Sequence, residues 1–314
     1  MTVTQLRAFL AVVSRGSVTA AADELFVTQP SVSSAIAALG RELGCELFER
    51  SGRGIRLTAA GEAFAPYAAD VIGLIETGST AAREAAALSV HRLRIAAVTT
   101  AAESFVPPLM SAFAAAQPAL ELSLDVGNRE YVFDRVLSHS SDIAVAGQPP
   151  EDGRLVVEPL LANEIVCVAA PDDPRVGGRP VAAASLLSTP WLLREPGSGT
   201  RAMVERFLAE RELRPRTLTL GSNGAIKQAA RAGLGVALLS RVTVSEDLSA
   251  GRLGEIPLSD PPPARTWFLV RSGVGPVRPA VQTFSSFVLG TRAAPAAGAF
   301  ETRSGHSDLA HKAG

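Results

Sequence analysis

Residues 8–61 read AFLAVVSRGSVTAAADELFVTQPSVSSAIAALGRELGCELFERSGRGIRLTAAG, and the order of stripes, caps and turns in this stretch decides the first domain. Leu6, Phe9, Leu10 and Val13 recur at helical spacing behind a Thr4 cap, and Gly16 ends that helix. Ser17 caps a second helix, in which Ala20, Ala21, Ala22 and Leu25 allow another helix to pack closely. After a turn over residues 26–28, Thr28 caps a third helix. Pro30 is tolerated in its first turn, and Val32, Ile36, Leu39 and Leu43 form its apolar stripe. The opposite face is small and polar: Gln29, Ser31, Ser33 and Ser34 crowd the N-terminal half, where a recognition helix meets base edges and phosphates. Residues 46–50 and 55–57 predict two short strands around Ser51-Gly52-Arg53-Gly54. Arg50, Arg53 and Arg56 then stand at or beside the tip, as a wing that touches phosphate or the minor groove. Three short helices and a hairpin also describe small domains without any nucleic-acid role, and an arginine cluster is commonly a solvated face.

The whole chain has 314 residues and 47% hydrophobic content, enough for a small domain and a larger one with separate cores. Its net charge is −1, so a DNA-binding surface must come from local placement of charge. Of the 30 basic residues only Lys227 and Lys312 are lysines, so an arginine by itself carries little weight. Cys45 and Cys167 lack the spacing of a zinc site or disulfide framework, which predicts a reducing, cytoplasmic setting. There is no run of roughly eighteen apolar residues and no secretion-type start, which predicts a soluble protein with no membrane partner.

Thr58 caps a helix predicted over residues 59–88, with Phe64, Ala68, Val71 and Ile75 at four-three-four spacing. At 1.5 Å per residue it is about 45 Å long. No neighbouring helix in sequence buries its stripe, so it pairs with a second subunit or serves as a core helix of the next domain. After His91, strands over 93–98, 120–126 and 143–146 alternate with helices over 105–117 and 130–139. This is the βαβ pattern of a parallel sheet that gathers ligands at the carboxyl ends of its strands. A second group has strands over 165–169, 191–193, 218–220 and 236–239 and helices over 201–212 and 223–232. A late strand over 267–270 and a helix over 281–289 return to the first group. The predicted class is α/β overall, divided into a DNA-binding domain (1–58), a linker helix (59–90) and a two-lobed domain (91–292). The lobes are 91–162 plus 267–292, and 163–266, and residues 293–314 form a disordered tail.

The loop Arg194-Glu195-Pro196-Gly197-Ser198-Gly199-Thr200-Arg201 has the makings of an anion cradle. Gly197 and Gly199 free backbone N–H groups where Ser198 and Thr200 precede a helix, and Arg194 and Arg201 add charge. A glycine turn with hydroxyl caps is the plainer alternative. Thr99 and Thr100 end the first strand, Asn128 and Arg129 follow the second, and Gly147 and Gln148 follow the third, so all converge on one cleft edge; the threonines serve equally as caps. Asn223 opens a helix that carries Lys227, and both are further candidates for effector binding, although a lone lysine is ordinarily solvated. No P-loop lysine motif, G-x-S-x-G elbow or metal-ligand cluster is present, and His306 and His311 stand without partner ligands, so no cofactor and no catalysis are predicted. A phosphate-handling enzyme is one alternative. A solute-binding receptor is another, but it predicts a secretion signal and leaves the front domain unused.

The run over 8–61 closely resembles the DNA-binding domain of the LysR family of transcription regulators. In that family the segment Thr28-Gln29-Pro30-Ser31-Val32-Ser33 begins the recognition helix, and Leu47-Phe48-Glu49-Arg50 and Leu57-Thr58-Ala59-Ala60-Gly61 bracket the wing. Ala35 stands where Gln is common and Gly40 where Glu is common. The resemblance implies a winged helix-turn-helix, pairing through the long helix on double-stranded promoter DNA, and a periplasmic-binding-protein-like effector domain. It further implies a homodimer or homotetramer and contact with RNA polymerase. Val126-Gly127-Asn128-Arg129-Glu130, LLREPGSGTR at 192–201 and LGSNGAIKQAARAGLGVALLS at 220–240 resemble the CbbR-like subgroup, regulators of Calvin-cycle operons. That implies a small anionic effector, phosphorylated or carboxylate. Gln148 departs from the arginine common there before two prolines.

Overall fold

Caps and core contacts set the first three helices in the computed structural model, which describes residues 1–52, 54–87 and 91–290. Arg53 and the 293–314 tail lie outside the described residues. Helix α1 (Val3–Arg15) starts with a capping box in which Thr2 Oγ1 accepts from the Gln5 N–H and the Gln5 side chain accepts from the Thr2 N–H, so Thr2 is the cap and not Thr4. Ser17 caps α2 (Val18–Leu25) by accepting from the Ala20 N–H. Thr28 precedes α3 (Gln29–Leu43), but its hydroxyl is bonded to Ser31 Oγ at 2.8 Å and makes no cap. Phe9, Val12, Ala21, Val32 and Leu39 are buried where the three helices meet. The hairpin of β1 (Phe48–Ser51) and β2 (Gly54–Leu57) leans on the same core, with the Phe9 ring 5.3 Å from Phe48 and 5.4 Å from Phe64.

Helix α4 (Ala59–Ala85) follows a Thr58 cap and passes Gly61, where an added Cβ would lie 2.1 Å from the Leu47 carbonyl oxygen. Its predicted stripe divides. Phe64 and Ala68 pack against Leu6 and Phe9 of the front domain, whereas Val71 and Ile75 are 45% and 43% exposed and Tyr67 is 70% exposed. At the far end, Glu84 is buried against the larger domain.

In the first lobe, β3 (Arg92–Val98), α5 (Thr99–Ala102), α6 (Val106–Ala116), β4 (Glu121–Gly127), α7 (Arg129–Leu137), β5 (Ile143–Ala146) and β6 (Leu155–Asn163) follow in chain order. The second lobe comprises β7 (Ile165–Ala169), β8 (Trp191–Arg194), α8 (Gly199–Ala209), β9 (Thr217–Leu220), α9 (Asn223–Arg231), β10 (Ala237–Ser240), α10 (Arg241–Ser249) and β11 (Gly254–Ile256). Then β12 (Arg265–Ser272) and α11 (Pro279–Gly290) return to the first.

The first sheet has the order β4-β3-β5-β12-β6, and it is mixed: β3 runs parallel to β4 and β5, but β12 is antiparallel to β5 and β6. The all-parallel expectation fails at the strand that returns from the second lobe, because a chain coming back from outside enters the sheet without a helical crossover. Arg265 and Thr266 belong to this strand, ahead of the predicted return at 267. Phe105, Leu109 and Phe113 with Phe284 and Val288 cover one face, and Val132, Phe133 and Val136 of α7 cover the other. In the second lobe, β7 lies between β10 and β11, both antiparallel to it, and the parallel pair β8–β9 joins through a Trp191–Val236 bridge. The elements α10 and β11 escape periodicity. Only Thr243 and Val244 of α10 are buried, which leaves no stripe to read.

Candidate functional site

The strand ends of both lobes face one another across a cavity of about 550 Å³, part of it open to solvent. From the first lobe come Thr99 and Thr100 at the end of β3, Asn128 and Arg129 after β4, and Gly147 after β5. From the second come Arg194 at the end of β8 and Ser198, Gly199 and Thr200 at the start of α8. This convergence follows from βα geometry, which puts the carboxyl ends of parallel strands on one edge.

Much of the polar lining is already bonded to itself. Arg194, 3% exposed, donates from Nε and Nη2 to the two Glu195 oxygens at 2.7 and 2.8 Å, and from Nη1 to Asn223 Oδ1 at 2.8 Å. Asn223, fully buried, donates across the lobes to Thr100 Oγ1 at 3.1 Å and Glu103 Oε2 at 3.0 Å. The result is an interlobe latch. Burial alone would push the Glu195 carboxyl upward, yet its bonds to Arg194 bring it below the ordinary range, so the pair is ionised and the Arg194 charge is offset. Arg194 and Asn223 therefore act first on each other rather than as free anion ligands.

The remaining predicted residues separate by position. Ser198 Oγ accepts from the Thr200 N–H at 3.3 Å and caps α8, and Asn128 Oδ1 accepts from the Tyr131 N–H at 2.9 Å and caps α7. Gly197, at φ 84°, packs so that an added Cβ would meet Asn128 Nδ2 at 3.0 Å; it lines a neighbouring surface groove and not the cavity. Arg201 braces the loop from outside the cavity, bonded to Glu205, the Arg194 carbonyl and Thr219. Gln148 offers its carbonyl to Arg129 Nε at 3.0 Å, with its side chain exposed beyond the cavity. Lys227 is not brought to the cleft: its Nζ lies 2.9 Å from Asp247 Oδ2 and donates to the Thr243 carbonyl within the second lobe.

Sequence reasoning missed Asn163, Ser240 and Arg265, which also line the cavity. Ser240 donates to Asn163 Oδ1 at 2.6 Å at the crossing between the lobes. Arg265 is the stronger omission. Its Nη2 occupies the space beside Gly147, where a Cβ would approach to 3.2 Å, and Nη1 reaches the Gly199 carbonyl at 3.4 Å. Burial first, then the charges of Arg206 and Arg129, lower the affinity of Arg265 for its proton. A single arginine opening the TWFLV strand was the available signal, and the arginine-rich composition masked it.

At the front domain, Thr28, Gln29, Pro30, Ser31 and Ser34 are exposed along the start of α3, while Ser33 is half-buried and accepts from Gln29 Nε2 at 3.3 Å. Arg50 is exposed on the wing, and Arg56 is paired with Glu49 at 2.6 Å. Among the described residues, no group of three or more His, Cys, Asp or Glu is arranged to hold a metal ion, and no helix is long and apolar enough to cross a membrane.

Residues 3–62 match the family model for the bacterial regulatory helix-turn-helix protein, lysR family, and residues 86–293 match the LysR substrate binding domain. The chain belongs to the LysR family. This LysR protein is a DNA-binding transcription regulator with an effector-binding domain. It is 36% identical over 286 residues to the RuBisCO operon transcriptional regulator of Allochromatium vinosum, covering 91% of this chain and 94% of that one. It is also 36% identical over 284 residues to CbbR of Rhodospirillum rubrum, covering 89% and 94%. These relatives place it with the CbbR-like subgroup. Among solved structures, the regulatory domain of Synechocystis CcmR in complex with 2-PG aligns at TM-score 0.61 and 32% identity, covering 64% of this chain and 97% of that one. Full-length OxyR from Pseudomonas aeruginosa shares the fold of this LysR regulator at TM-score 0.65 and 23% identity, over 92% and 94% of the two chains.

Proposed function

We propose that this regulator binds promoter DNA in the cytoplasm as a homodimer or homotetramer and is switched by a small phosphorylated or carboxylate metabolite held between its lobes. The observation that carries the effector class is the Arg265 guanidinium, which faces the cavity beside Gly147 with no carboxylate paired to it among the described residues. An anion there gains charge-assisted hydrogen bonds from Arg265 and polar contacts from Thr99, Asn128 and the α8 start at Ser198 to Thr200. The CcmR regulatory domain with 2-PG, 2-phosphoglycolate, supports the same ligand class.

The DNA contacts assigned in this reading are Thr28, Gln29, Pro30, Ser31, Ser33 and Ser34 of α3 with Arg50, Arg53 and Arg56 of the wing. Tyr67, Val71 and Ile75 form the exposed stripe of α4 through which two subunits pair. RNA polymerase is the further partner of the DNA-bound form. Effector binding biases the Thr100–Asn223 latch and so the lobe arrangement, which changes the spacing of the paired DNA-binding domains. Footprinting on the promoter next to the gene, with and without 2-phosphoglycolate and related phospho-acids, tests this. An altered footprint with one of them supports the switch, and identical footprints throughout the series refute it.

A further inference from the structure

A second hollow, about 1350 Å³ and open to solvent, adjoins the inner cavity between α8 and the start of β12. Arg129, Gly199 and Arg265 line both, and Arg206 lines only the outer one. Neighbouring arginines are neutralised: Arg194 by Glu195, Arg201 by Glu205, Arg211 by Asp260 and Arg241 by Glu164. Among the described residues, no ion pair engages Arg129, Arg206 or Arg265. Arg129 spends Nε on the Gln148 carbonyl and lies over the Phe133 ring, and Arg265 spends Nη1 on the Gly199 carbonyl; among the described residues the remaining guanidinium donors of both have no hydrogen-bond partner. The acidic residue of the hollow, Glu210, lies 3.8 Å from Arg211. Three like charges around one concave surface repel unless an anion joins them, and the lowered proton affinity of Arg265, from burial and then from Arg206 and Arg129, expresses that cost. The walls beside the arginines are apolar, formed by Met203, Phe268 and the Pro262-Pro263 segment. A bare ion would leave these walls uncovered.

We infer that the outer hollow is a second anion site, distinct from the inner cavity, which takes an organic phosphate. Its phosphate sits among Arg129, Arg206 and Arg265, and its carbon skeleton lies against Met203 and Phe268. The inference rests on reading the cleft as an effector site, and deepens it. Because Arg265 serves both compartments, an anion in one withdraws charge from the other, so the two ligands oppose each other. The regulator would then report a ratio of two metabolites instead of the level of one.

Phenyl phosphate, which joins a phosphate to an apolar ring, is the probe for calorimetric titration of the full-length protein. The variants are Arg206→Gln for the outer site and Thr99→Ala for the inner one. The expected result is saturable binding by the wild type, weakened at least about tenfold by Arg206→Gln and changed less than about twofold by Thr99→Ala. No saturable binding, equal weakening by both variants, or an effect of Thr99→Ala alone would overturn the second site. A parallel titration with 2-phosphoglycolate reads the inner cavity separately. If it fails to bind while phenyl phosphate still depends on Arg206, the inner assignment falls and the outer one stands.

Discussion

Arg278 Nη2 donates to Glu84 Oε1 across 2.6 Å, and this buried pair ties the last turn of α4 to the segment entering α11. Arg278 Nη1 also reaches Asp142 Oδ1 at 2.9 Å, and Asp142 receives Arg94, so the linker helix is anchored to the first lobe through a charged network. A second contact runs beside it, where His139 Nε2 lies 3.0 Å from Asp70 Oδ1. The first lobe is thereby joined directly to the helix that leads from the DNA-binding domain.

Removing one partner of that pair leaves the other charge buried. Glu84→Ala should destabilise the protein by about 3 kcal/mol, whereas the double replacement Glu84→Leu with Arg278→Met should cost much less. Urea unfolding of the three proteins decides it, and a double variant as unstable as the single would contradict this account.

The latch makes its own prediction. Asn223→Ala strands donors and acceptors of Arg194, Thr100 and Glu103 and should lower stability by about 1–3 kcal/mol. Effector titration should then show altered affinity, because the two lobes have lost the Asn223 bonds that join them. Equal stability and equal affinity would remove Asn223 from the switch.

On DNA, Arg50→Ala should weaken binding to every sequence and reduce the salt slope by about one, the signature of a lost phosphate contact. Arg56→Ala should do less, since Glu49 already offsets that charge. Gln29→Ala should instead change base preference, by about 1–3 kcal/mol at the position it reads. Fluorescence anisotropy over a range of salt and operator variants distinguishes the two kinds of loss.

The cysteines differ in a way that pH exposes. Burial, above all, pushes the Cys167 thiol up to about 12, while Cys45 is exposed. At pH 8 the Cys167 thiol stays protonated in the folded state, so alkylation should label Cys45 alone until the chain unfolds. A raised folded value means that the native state holds its proton longer. The stability Cys167 contributes is full below the ordinary thiol value of 9.0 and is lost as pH rises from there toward about 12. Mass spectrometry after brief alkylation, and denaturant midpoints measured upward from pH 8, check both statements.

The helices of the front domain were legible because caps and apolar spacing act within a few residues: Ser17, Gly16 and the Val32 and Leu39 positions behave as their local pattern requires. The strand-end residues Thr99, Asn128, Arg129 and Gly147 were legible for a related reason, since βα alternation brings such ends to one edge. What Lys227 does was not, because its partner Asp247 lies in a helix that has no apolar stripe to announce it. The stripe of α4 divides in a way its spacing does not show: Phe64 and Ala68 turn inward to their own domain, and Val71 and Ile75 face outward.

By itself, the sequence determined the three helices and hairpin within residues 8–61 and the strand-end cleft, because periodicity and turn chemistry are local, and the resemblance of that run to the LysR family supplied the class. Only the tertiary structure decided which charges are free. Arg194 and Arg265 look alike in the chain, yet one is closed on Glu195 and Asn223 while the other faces the cavity unpaired among the described residues. The Asn223 bond to Arg194 and the Gly199 contact of Arg265 join segments far apart in sequence, and those distances exist only once the lobes have packed.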